Sequence, residues 1–174
     1  MIIAREKKKQ NIIEYILYMW QVEDLIRAFD LDMEKVSKYI INAYEQPEQV
    51  KMEISEWYEN QIKMMISEKC QEHGHLAYLT SLINDLEKRH RQLISTGNEK
   101  KYVELFTTAH DAIEDLKTHS GKRVTGDVEA GLNGLYGYLV LKLQKKEISS
   151  GTLEAIHQIS GWLAWLSDFY KKTT

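Results

Sequence analysis

The stretch Gly126 to Leu143, GDVEAGLNGLYGYLVLKL, holds four of the chain's nine glycines within an otherwise helix-forming sequence. Glycine in a helix interior costs about 1 kcal/mol relative to alanine, so Gly131, Gly134 and Gly137 together cost roughly 3 kcal/mol that close tertiary contacts must offset. Projected at about 100° per residue, the segment has two apolar sides. Val128, Leu132, Leu135, Leu139 and Leu143 form a leucine seam, and Ala130, Gly134, Gly137 and Leu141 form a smooth side nearly opposite. A helix apolar on both sides is expected to be buried on both, and small residues let a second backbone come close. Three occupants meet that demand: a helix of the same chain, ranked first, a second copy in a homodimer, or a ligand in a pocket lined by Tyr136 and Tyr138.

Outward from this segment, apolar residues recurring at helical spacing predict six further helices. The first runs from about Ala4 to Phe29 on the stripe Ile12, Tyr15, Ile16, Met19, Val22 and Ile26. Asp30 or Asp32 caps a second, through Met33, Val36, Ile40 and Ala43, which ends before Pro47. A third carries Val50, Ile54, Trp57, Gln61 and Met64 and is expected to stop near Gly74. The fourth follows Leu76, Leu79, Ile83, Leu86, His90 and Leu93 to Thr96 and Gly97, and the fifth follows Tyr102, Phe106, Ala109, Ile113 and Leu116 to Ser120 and Gly121. After the glycine helix, Ser149, Ser150 and Gly151 precede a seventh, through Leu153, Ile156, Ile159, Leu163, Leu166 and Tyr170. No strand-like alternation and no low-complexity linker interrupts the pattern, so the expected fold is all-α: one domain over residues 1–174, an irregular bundle of about seven amphipathic helices. Aromatic residues gather in the first and last helices, which are therefore expected to touch.

With 174 residues, 43% of them hydrophobic, the chain is long enough for a continuous core. A net charge of -3 provides no general attraction to nucleic acid or anionic lipid, so neither is an expected partner. The single cysteine, Cys70, makes no intramolecular disulfide. Ile2 and Ile3 precede Arg5, Lys7, Lys8 and Lys9, the reverse of a secretory signal, and the apolar runs are too short to span a bilayer. The expectation is a soluble, cytoplasmic protein that does not enter membranes.

Several constellations bear on chemistry. Glu87/His90 and Glu154/His157 have the Glu-x-x-His spacing that bundle di-metal sites use twice. His90 lies in an apolar stripe, whereas Glu154 and His157 point away from theirs, so one internal centre cannot use both pairs. Cys70, His73 and His75 put a thiol and two imidazoles around Gly74, one ligand short of a closed zinc site, and read better as a polar helix end. No metal or other cofactor is expected. Glu23, Gln61 and His90 each fall within an apolar stripe and form the candidate catalytic set, a buried carboxylate being satisfied by a histidine partner. Lys122, Arg123, Thr125 and Gly126, just ahead of the glycine helix, are the candidate anion-binding residues, since helix N-termini attract anions, although the order of a P-loop is absent.

The opening segment, MIIAREK followed by Asn11 to Asp24, NIIEYILYMWQVED, resembles an uncharacterised family of similar-sized Bacteroidales proteins. The resemblance implies a domain of unknown function and carries no catalytic residue across. The leading expectation is a non-enzymatic helical protein acting through a homodimer or contacts with another protein. The alternative is a small-molecule-binding or hydrolytic helical enzyme using Glu23, Gln61 and His90.

Overall fold

Asn11 divides the first predicted helix into two. In the computed structural model, which describes residues 2–119 and 126–173, α1 spans Ile2–Gln10 and α2 spans Ile12–Ala28. The Asn11 backbone is extended, and its Oδ1 accepts from the N–H groups of Ile13 and Glu14 at 3.0 and 3.1 Å, starting a new helix. Ser167 locks the junction: its hydroxyl donates to Asn11 Oδ1 at 2.9 Å and accepts from Ile12 N–H at 3.1 Å.

The remaining elements are α3 (Met33–Tyr39), a 3-10 turn (Ile41–Ala43), α4 (Glu48–Ser67), α5 (Ala77–Thr96), α6 (Lys100–His119), α7 (Asp127–Leu143) and α8 (Ser150–Thr173). No strand occurs among the described residues, and the fold is all-α. Of the two predicted caps for α3, Asp32 is the one used, accepting from Glu34 and Lys35 N–H groups.

α4 ends earlier than Gly74, for a reason repeated elsewhere. Lys69 takes a left-handed φ of 58°, and Cys70 N–H donates back to Met65 O, closing a Schellman motif without glycine. Asp30 closes α2 the same way, with Leu31 N–H on Ile26 O, and Lys145 closes α7, with Lys146 N–H on Leu141 O.

The core is built around α2, where nine of 17 residues are buried, Ile16 and Ile26 completely. α2 packs on α7 and α8, α5 leans on α6, α7 and α8, and the last three helices pack on one another. The expected contact between the first long helix and the last is therefore present. α8 contributes Ile159, Trp162, Leu163 and Leu166, each at most 1% exposed. Trp162 meets Phe106 and His90, while Trp165 meets Tyr102 and Phe169.

Candidate functional site

The start of α7 is where the polar chemistry of the chain converges. Its N-cap, Gly126, has no side chain to offer the first N–H groups, and Glu87 reaches across from α5 instead. Glu87 Oε2 accepts from Val128 N–H at 2.9 Å and Oε1 from Asp127 N–H at 3.4 Å. The seat expected for an anion is filled by the protein's own carboxylate. A Cβ on residue 126 would stand 2.8 Å from Glu87 Oε2, so glycine permits this approach. Lys122, Arg123 and Thr125 lie outside the described residues.

One helical turn beyond Glu87, His90 is only 2% exposed. Its Nδ1 meets Tyr102 Oη at 2.7 Å and its Nε2 meets Asp127 Oδ2 at 3.1 Å. Lys117 of α6 pairs with the other Asp127 oxygen. The His90 hydrogen bond, with Lys117 assisting, lowers the Asp127 pKa to about 2. Burial works against the Lys117 ammonium, but Asp127 and Glu114 outweigh it and raise its pKa. Burial raises that of the Tyr102 phenol.

The other two candidate catalytic residues have different partners. Glu23 is fully buried, and its Oε1 accepts from Leu76 N–H at 2.9 Å while Oε2 lies 2.6 Å from His75 Nδ1. The His75 ring stacks on Trp20 at 4.4 Å. Gln61 is buried and accepts from the Tyr78 hydroxyl at 3.2 Å. Arg27 donates to the carbonyls of Cys70 and Gly74, fixing the loop that brings His75 to Glu23. Glu23 thus has the histidine partner its burial demanded, but it is His75 in place of His90.

The weaker metal-ligand candidates, Cys70 and His75, are engaged elsewhere. Cys70 is buried with its Sγ 3.7 Å from Met65 O, and His75 is engaged by Glu23. Among the described residues, the triad with ligand atoms all within 4.8 Å of one another is Glu87, His90 and Asp127. Glu154 and His157 are exposed on α8. The sequence contained the Glu87/His90 half of the triad. Asp127 and Lys117 were missed, because an acid opening a helix is an ordinary feature and nothing local marks which lysine will face it.

The glycine side of α7 changes character along its length. Ala130 is completely buried. A Cβ at Gly131 would lie 3.0 Å from Trp162 and 3.2 Å from Leu163, and one at Gly134 would lie 2.7 Å from Leu116 Cδ1. At Gly137 it would meet nothing within 4 Å among the described residues. Gly134, Gly137 and Leu141 instead floor an open cleft of about 380 Å³ between α6, α7 and α8. The leucine seam divides in the same way: Val128 and Leu132 are fully buried, whereas Leu143 is 69% exposed. The expected burial on both sides therefore holds only in the first half of the helix. No residue from Leu135 to Leu143 is buried.

The full chain, residues 1–174, matches the family described as a domain of unknown function, DUF4924. The chain belongs to this family. Neither a curated protein nor a solved structure matches the DUF4924 chain. No helix among its described residues is long and apolar enough to cross a membrane.

Proposed function

We propose that this DUF4924 protein is non-enzymatic and works by self-association, with the second half of α7 as its contact face. The observation that carries the reading is the segment 135–143, LYGYLVLKL, which has one charged residue and no buried one. Its residues are half-buried or exposed, Leu143 at 69%, and burying the apolar surface left in water against a partner releases roughly 25 cal/mol per Å². Gly137 points the same way. Its helix-propensity cost is offset by no close contact among the described residues, and the space over it admits another backbone or side chain. Leu153, at the start of α8, adds a further exposed apolar residue. In a two-fold dimer the same face serves both copies.

Multi-angle light scattering over a range of micromolar concentrations tests the proposal. Wild type should approach twice the chain mass as concentration rises, and Leu143→Glu, at a position already in water, should stay monomeric with an unchanged circular dichroism spectrum. A wild-type monomer throughout that range rejects self-association.

A second reading rests on the cleft itself. Its volume falls within the range of small-molecule pockets, and Ala112, Leu116, Leu141 and Ile156 line it beside the polar Asp115 and Asn133. A monomer that binds an environment-sensitive apolar dye in this cleft, and loses the dye on Gly137→Leu substitution, would favour that reading. The hydrolytic alternative would need Glu23, Gln61 and His90 to act on one substrate, and their separate hydrogen-bond partners provide no support for it.

A further inference from the structure

We infer that Glu87, His90 and Asp127 form a binding site for one divalent transition ion, zinc foremost, and that Lys117 on Asp127 and Arg91 on Glu87 balance its charge in the ion's absence. The ligand set is two carboxylates and one imidazole, a mixture of oxygen and nitrogen donors suited to zinc with water completing the coordination. Their ligand atoms already lie within 4.8 Å of one another, drawn from α5 and the first residue of α7. His90 Nε2 and Asp127 Oδ2 are 3.1 Å apart. Two ligands each about 2.1 Å from one ion are separated by about 3.0 Å at a right angle and about 3.4 Å at the tetrahedral angle, so this pair is spaced to share one.

The surroundings suit the same reading. Tyr102 Oη holds His90 Nδ1 at 2.7 Å and so aims Nε2 at the acids, the supporting contact that metal-bound imidazoles typically have. In the tautomer that donates Nδ1–H to Tyr102, Nε2 has a free lone pair, the form that ligates an ion beside Asp127 Oδ2. Glu87 and His90 are 9% and 2% exposed, while the Asp127 side chain is 21% exposed and provides the route from solvent. Lys117 contacts Asp127 and Glu114, so when the ion arrives its ammonium retains a partner.

The test uses untagged, full-length protein stripped with a chelator and titrated with Zn²⁺, with Co²⁺ as a spectroscopic substitute. Wild type should take up one ion per chain, and its melting temperature should rise with free Zn²⁺. Glu87→Gln and Asp127→Asn should each weaken uptake by at least about tenfold. Lys117→Met separates a metal site from a purely structural network. Removing one of the two competing cations should tighten Zn²⁺ binding severalfold even as the metal-free protein loses stability. Should the ligand variants fail to fold, Lys117→Met and the Co²⁺ absorption of wild type still decide. Absence of stoichiometric uptake by both wild type and Lys117→Met overturns the inference, as does uptake unchanged in folded Glu87→Gln and Asp127→Asn.

Discussion

Gly131→Ala and Gly137→Ala are the same chemical change on the same helix, and the structure predicts opposite effects on stability. Each substitution recovers about 1 kcal/mol of helix propensity. At 137 the new methyl meets nothing within 4 Å, so that gain stands alone and should raise the melting temperature by about 2–4 °C in a chain of this size. At 131 the methyl would sit 3.0 Å from Trp162 Cζ3, 3.2 Å from Leu163 Cδ1 and 3.3 Å from Ile159 Cγ2. Those three neighbours are themselves at most 1% exposed and have little room to retreat. Overpacking of this kind costs about 1–3 kcal/mol, leaving a net change between roughly zero and a loss of 2 kcal/mol. Urea unfolding followed by circular dichroism, at concentrations low enough to keep the chain monomeric, measures both variants. A destabilised Gly137→Ala beside a Gly131→Ala stabilised by about 1 kcal/mol would refute the assignment of which glycine is packed and which is open.

Three further outcomes are expected. Asn11→Ala removes the cap of α2 and its link to Ser167, and should cost about 1–2 kcal/mol in chemical denaturation; an unchanged midpoint would mean the helix break has another cause. Lys69→Gly should stabilise by up to about 1 kcal/mol, because the left-handed conformation strains every residue but glycine, and a loss would contradict the Schellman end of α4. Burial raises the pKa of the Tyr15, Tyr18, Tyr58, Tyr78, Tyr102 and Tyr136 phenols, that of Tyr18 to about 12. A folded pKa raised above the unfolded value means that stability is full below about pH 10 and falls as pH climbs toward 12 and beyond. In an alkaline titration, phenolate absorbance from these six should appear together with loss of helix; its full appearance in still-folded protein would contradict their burial.

The helices were legible because their apolar stripes are long and regular, and the buried positions Ile16, Leu86, Ile113 and Leu163 all come from those stripes. Their ends were less legible. Asn11 followed by Glu14 is an N-terminal capping signature, hidden inside an apolar periodicity that runs on either side of it. Three C-terminal ends use Asp30, Lys69 and Lys145 where glycine is the usual signal. The polar residues were recognisable as buried, since Glu23, Gln61 and His90 interrupt apolar faces. Their partners were not, because pairing depends on how segments distant in sequence fold back. His75 reaches Glu23 through a loop pinned by Arg27, and Asp127 reaches His90 through the packing of α7 on α5. The glycines announced a close approach without saying to what, and the answer differs for each: core aromatics at 131, Leu116 at 134 and open space at 137.

That open space leads to the central claim, that the second half of α7 is covered by a second copy of the chain. Hydrogen–deuterium exchange measured at low and high protein concentration tests it most directly. Self-association predicts that amides in 137–143 become slower to exchange as concentration rises, while the already buried first half of α7 changes little. Exchange of 137–143 that is independent of concentration would contradict the account.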